Sequence, residues 1–266
     1  MRVAALKALC LPDPEQKVQA VRAIDNRLDP MSSQEDLLLP DSAPIPGRPE
    51  RPVLVGPFKV RQRSVHTEQG RAALIHSLAH IEFNAINLAL DIVWRFSKMP
   101  HEFYNDWLVV AKEEAYHFSL LTDHLREMGY AYGDFPAHDG LWEMAQRTTD
   151  NLLARLALVP RTLEARGLDA SPVVRTKLAN ANDTKGAQII DIILRDEIGH
   201  VAIGNKWYRY LCFENRLDPV AHYAEMALLY RAPRLKGPFN IEARMAAGFT
   251  EQELLALQAQ GQAPST

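Results

Sequence analysis

Two Glu-x-x-His units dominate the chemistry of this chain. Glu114-Ala115-Tyr116-His117 follows Glu82, and Glu197-Ile198-Gly199-His200 follows Glu164 at almost the same interval. Residues three apart on a helix share a face, so Glu114 and His117 can reach one point together, as can Glu197 and His200. Two helices giving one Glu and two giving Glu plus His make a carboxylate–imidazole set for two metal ions in a helical bundle. Bridging carboxylates offset much of the cationic charge, and the imidazoles leave coordination positions for dioxygen or water.

The six residues lie where a solvated charge is not expected. Glu82 sits in the middle of an apolar helical stripe of Ile75, Leu78, Ala79, Ala85, Ile86, Ala89 and Val93. Trp107, Val110, Leu121, Leu125 and Met128 flank the second unit, and Ile190, Ile193, Gly204, Trp207 and Leu211 flank the fourth segment. The stripe at Glu164 is weaker because Pro160 interrupts it. Four carboxylates on core faces imply a shared cation, since a lone buried carboxylate is expensive. The competing explanation is a set of buried ion pairs with Arg or Lys.

Elements must then be found to carry these side chains. Residues 1–66 read as short helices, one starting near Asp13-Pro14, followed by a proline-rich arm with Pro30, Pro40, Pro44, Pro46, Pro49, Pro52 and Pro57. Its basic end, Lys59, Arg61 and Arg63, reads as solvated charge. Residues 67–216 read as a four-helix bundle. The first helix runs from Thr67 to before Pro100, and the second from near His101 to Gly129. The third is expected over about 141–166, stopped by Gly167, and the fourth from Ser171-Pro172 to Arg216, with room for one break. Residues 217–266 read as a helical extension packed on the bundle. The expected fold class is therefore all-α.

Composition bounds the function. The chain has 266 residues, 47% of them hydrophobic, which is enough for one substantial core. A net charge of −3 offers no field for nucleic acid or an anionic membrane. Cys10 and Cys212 are too few for a disulfide framework or a four-Cys iron site. No long apolar run or signal-peptide core occurs, so a cytoplasmic protein is expected.

Several strings resemble a known group. His-Ile-Glu-Phe-Asn-Ala-Ile at 80–86, Glu-Glu-Ala-Tyr-His-Phe at 113–118 and Asp-Glu-Ile-Gly-His at 196–200 resemble a bacterial family of uncharacterised ferritin-like proteins. Leu-Glu-Ala-Arg-Gly-Leu-Asp at 163–169 and Lys-Gly-Pro-Phe-Asn at 236–240 do so too. The likeness covers most of the chain and places it with the ferritin-like di-iron carboxylate superfamily; a more distant likeness in pattern is to the di-iron tRNA hydroxylase.

Roles can be assigned on that basis. Glu82 and His117 are expected to hold one metal and Glu164 and His200 the other, with Glu114 and Glu197 bridging. Glu113 and Asp196 precede the two units and are candidates to fix an imidazole from outside the ligand set, Asp196 to His117 first. Lys236, Phe239 and Asn240 are candidates for the substrate side. His76 and His80 lie opposite Glu82 and read as capping, stacking or surface groups. Tyr116, Trp94, Trp107, Trp207 and Tyr208 read as core rather than as an electron relay. His124, His138 and His222 lack a ligand-like context.

The expected cofactors are two Fe or Mn ions, with dioxygen as co-substrate, an external electron donor and an unidentified organic substrate. The leading expectation is a hydroxylase-type oxidoreductase. Iron handling without an organic substrate, and a ferritin-like scaffold that acts by binding another protein, are the rival classes.

Overall fold

The computed structural model describes residues 1–27, 44–61 and 63–262; Pro30, Pro40 and the rest of the arm's first half lie outside them. The described residues are all-α with no strand, only an isolated bridge between Leu54 and Ala137. None of these helices is long and apolar enough to cross a membrane. The chain divides into two compact units, 1–142 and 143–266.

The first unit is built on a helical hairpin. Its helices are α1 (Arg2–Leu9), α2 (Pro14–Ala23), α3 (Glu68–Arg95) and α4 (His101–Glu127). Asp13 caps α2 by accepting from Gln16 N, with Pro14 at the first helical position; Thr67 caps α3 by accepting from Gly70 N. Pro100 starts α4, and the turn before it is pinned by Tyr104, whose hydroxyl donates to Phe96 O at 3.0 Å and accepts from Met99 N at 3.2 Å. Every residue from Glu82 to Trp94 is buried, so α3 is the axis of this unit, with α4 and α1 packed along it.

The described half of the arm closes onto this unit. Ala137 N donates to Val53 O at 3.1 Å and Val55 N to Ala137 O at 2.8 Å. The buried Lys17 ammonium donates to Leu9 O, Gly47 O and Asn87 Oδ1, tying α1, the arm and α3 together. Burial pulls its pKa down to about 7.

A short helix, α5 (Gly140–Arg147), contains the division between the units. The second unit continues with α6 (Leu152–Leu158), a π-helical turn over Val159–Glu164, α7 (Ala165–Asn180) and α8 (Thr184–Glu214). Three shorter helices follow: α9 (Pro219–Leu229), α10 (Ile241–Ala246) and α11 (Glu251–Gln262).

Here the expected boundaries need correction. The helix foreseen over 141–166 breaks at Asn151, whose side chain caps α6 by accepting from Ala154 N. Gly167 ends nothing, and Ser171-Pro172 starts nothing, because both lie inside α7. The real break falls at 181–183, where Asp183 caps α8 by accepting from Gly186 N.

Pro172 is tolerated for a reason that is not local. A proline has no N–H for the carbonyl four residues back, here Leu168 O. Asn240, from the loop before α10, donates its side-chain amide to that oxygen at 3.2 Å. The π-helical turn has a comparable aid: the Thr162 hydroxyl donates to Ala157 O at 2.8 Å beside Pro160.

Candidate metal centre

In the first unit, Glu82 on α3 faces Glu114 and His117 on α4. All three are buried, and each offers a ligand atom within 4.8 Å of the others. His117 Nδ1 lies 3.3 Å from Glu82 Oε2 and 3.5 Å from Glu114 Oε2. The i, i+3 spacing on α4 sets the second contact, and the α3–α4 packing sets the first.

Their electrostatics are those of a site built around positive charge. Burial, then the Glu114 charge and a hydrogen bond to Glu114, push the Glu82 carboxyl well above the usual carboxylate range, with His117 partly opposing. Burial disfavours the His117 imidazolium, yet its contacts with Glu114 and Glu82 outweigh that and raise it above its ordinary value. Without a metal, a proton on His117 answers the two carboxylates; a metal ion bonded to the same three atoms would answer them more completely.

The second unit repeats the pattern on different scaffolding. Glu197 and His200 are buried on α8, with His200 Nδ1 3.5 Å from Glu197 Oε1. Glu197 Oε2 is buried and accepts no hydrogen bond, a costly arrangement for a carboxylate oxygen that a cation would relieve. Glu164 is half-buried at the last residue of the π-helical turn. Such turns insert a residue into a helix and re-aim the side chains that follow, and they recur at functional sites.

This turn fits against α8 because of Gly204. A Cβ there would stand 2.6 Å from Pro160 Cβ, so only glycine lets the two backbones approach this closely. The donor set of carboxylates and imidazoles fits iron or manganese.

The neighbouring candidates fall into place separately. Asp196 accepts from the guanidinium of the adjacent Arg195 at 2.7 and 3.0 Å, and Glu113 is half-buried on α4. Asn240 caps α10 besides serving Leu168, Phe239 lies under the Arg244 guanidinium at 5.3 Å, and Lys236 is exposed.

His76 and His80 do stack, yet they are buried rather than at the surface. His76 stacks on Tyr132 and accepts from Gly133 N, while His80 Nδ1 meets the Tyr132 hydroxyl at 2.8 Å. Trp94, Trp107, Trp207 and Tyr208 are buried, whereas Tyr116 is exposed with its ring 6.2 Å from the His117 ring. His222, buried, meets the Tyr208 hydroxyl at 3.0 Å.

Sequence reasoning missed a buried charge network in the second unit. Arg161 and Arg209 both donate to Glu253, at 2.5 and 2.6 Å, and Arg244 pairs with Asp169 at 2.7 Å. Isolated arginines carry no spacing signal, so nothing in the sequence marked them.

Comparison with known proteins agrees with the extent of the pattern. An uncharacterised protein of Haemophilus influenzae is 48% identical over 260 residues, covering 93% of this chain and 90% of the relative. No solved structure matches. The family model described as a protein of unknown function, DUF455, matches residues 10–255, and the chain belongs to that family.

Proposed function

We propose that the chain is a ferritin-like dinuclear metal protein that uses dioxygen to oxidise an organic substrate. The observation that carries this reading is the buried Glu82–Glu114–His117 cluster, with its counterpart pattern of Glu164, Glu197 and His200 in the second unit. In this proposal the two triads share one centre. Glu82 and His117 would hold one ion and Glu164 and His200 the other, with Glu114 and Glu197 as the carboxylates available to both.

Two iron or manganese ions bound there would supply the redox and Lewis-acid chemistry that dioxygen reduction requires. The protein's own contribution is positional. The apolar run of α3 around Glu82 keeps bulk water from the carboxylates and strengthens their hold on cations. His117 and His200 must be neutral to bind, so loading releases the proton that the metal-free cluster holds at His117. Electrons come from an external donor, since neither free cysteine belongs to a redox cluster. The N-terminal arm and the helices after α8 favour an organic substrate over a storage cage, which needs only a compact self-assembling bundle.

The test is metal analysis of protein purified anaerobically from iron- and manganese-replete cells. About two ions per chain are expected, lost in Glu114→Ala and His200→Ala. Folded wild-type protein that takes up no metal would remove the proposal; many ions per chain in a multimeric shell would replace it with iron handling.

A further inference from the structure

The second unit holds a cavity unrelated in composition to the triads. It has a volume of about 120 Å³, and its walls include Val220 and Tyr223 of α9, Leu235, Phe249 and Leu257 of α11. Its charged walls are two buried arginines, Arg161 from the π-helical turn and Arg244 from α10, and the Glu253 carboxylate. An apolar cavity of comparable size, about 150 Å³, accommodates benzene, so this one suits a small organic body.

Its buried arginines are paired but not saturated. Glu253 accepts from both Arg161 and Arg209, while Asp169 accepts from Arg244 through Nε at 3.0 Å and Nη2 at 2.7 Å. Each buried arginine thus has one carboxylate, and Glu253 also serves Arg209, which is partly exposed and outside the cavity walls. Their hydrogen bonding is incomplete: Arg161 Nε and Nη1 and Arg244 Nη1 are buried with no partner.

Aromatic faces answer part of this, with Tyr208 4.2 Å from the Arg161 guanidinium and Phe249 5.4 Å from it and 5.3 Å from that of Arg244. A ring face remains a weaker acceptor than a carboxylate oxygen. Unmet buried arginine donors at an apolar cavity are a poor design for stability alone.

We propose that this cavity binds a small organic monoanion, a carboxylate with a hydrocarbon or aromatic body, whose oxygens engage Arg161 and Arg244. The site also borders the metal-ligand pattern in sequence and structure. Arg161 shares the π-helical turn with Glu164, and Arg244 Nη2 donates to Ala165 O at 3.2 Å. An occupant therefore bears on the backbone at both sides of Glu164.

Calorimetric titration of the full chain, stripped of metal with a chelator, decides the matter. Benzoate and hexanoate are the probes, with benzamide and hexanamide as neutral counterparts. One carboxylate is expected to bind per chain, at least about tenfold more tightly than its amide.

Ala256→Leu fills the cavity from α11 and leaves both arginines in place, so it should weaken binding at least about tenfold while the chain melts as wild type. The proposal is overturned if neither carboxylate binds below about 10 mM, if the amides bind equally, or if Ala256→Leu binds unchanged.

Discussion

The two units present the same ligand pattern on opposite kinds of helix. In the first, Glu82, Glu114 and His117 project from two long, unbroken helices, and the side chain one turn past the histidine is the buried Leu121. In the second, Glu164 stands at the end of a π-helical turn, and the residue one turn past His200 is Gly204. The exchange of Leu for Gly follows from Pro160, whose ring occupies the space a side chain at 204 would need. A helix distorted near a ligand is thus accommodated by thinning its neighbour. The ligand pattern constrains the positions of a few side chains, and more than one backbone route supplies them.

The largest expected effect tests whether the halves are equivalent. Glu82→Ala and Glu164→Ala should each reduce bound metal from about two ions per chain to below one, because bridging carboxylates couple the two positions. Loss of a single ion in one variant and none in the other, by elemental analysis, would show that the straight and distorted halves work independently.

Truncation of the paired charges in the second unit comes next. Glu253→Ala leaves the buried Arg161 without its carboxylate and should destabilise the chain by about 3–5 kcal/mol in urea unfolding. A change under about 1 kcal/mol would mean that the aromatic faces alone satisfy Arg161.

The comparison at 121 and 204 can be broken directly. Leu121→Ala opens a cavity in the first unit and should cost about 2–5 kcal/mol. Gly204→Ala adds a methyl at 2.6 Å from Pro160 Cβ and should cost about 1–3 kcal/mol. If Gly204→Ala stabilises the chain instead, the close approach of α8 to the π-helical turn is not what glycine is there for.

The smallest effect is in pH. Burial alone would raise Glu253, but Arg161, the Thr250 backbone N–H and Arg209 outweigh it and hold its carboxyl below the ordinary value of 4.5. A depressed carboxyl contributes stability that is complete above 4.5 and is lost as pH falls through its folded value. Hydrogen exchange should therefore show α11 losing protection on acidification before α3 does. Simultaneous loss in both would assign the acid transition to another group.

The predictable parts were those with local causes. The boundaries of α3 and α4 followed from Thr67, Pro100 and continuous apolar stripes, and the structure places them where that pattern does. The second unit departs from its local signals because its breaks and continuations depend on distant partners. Pro172 would normally begin a helix, yet Asn240 supplies the donor that Leu168 O lacks, and α7 runs straight through. The Arg161–Glu253 and Arg244–Asp169 pairs join residues far apart in sequence, so no spacing rule could find them.

By itself the sequence determined the helical class and the ligand types, because a 3.6-residue period and an i, i+3 Glu-x-x-His unit are consequences of local backbone geometry. Tertiary structure decided the rest of what is seen here. It brought the Glu82 carboxylate to His117, bent the backbone before Glu164, and left two arginines beside an apolar cavity. Each of those outcomes depends on packing and hydrogen bonds between segments that the chain's local preferences do not specify.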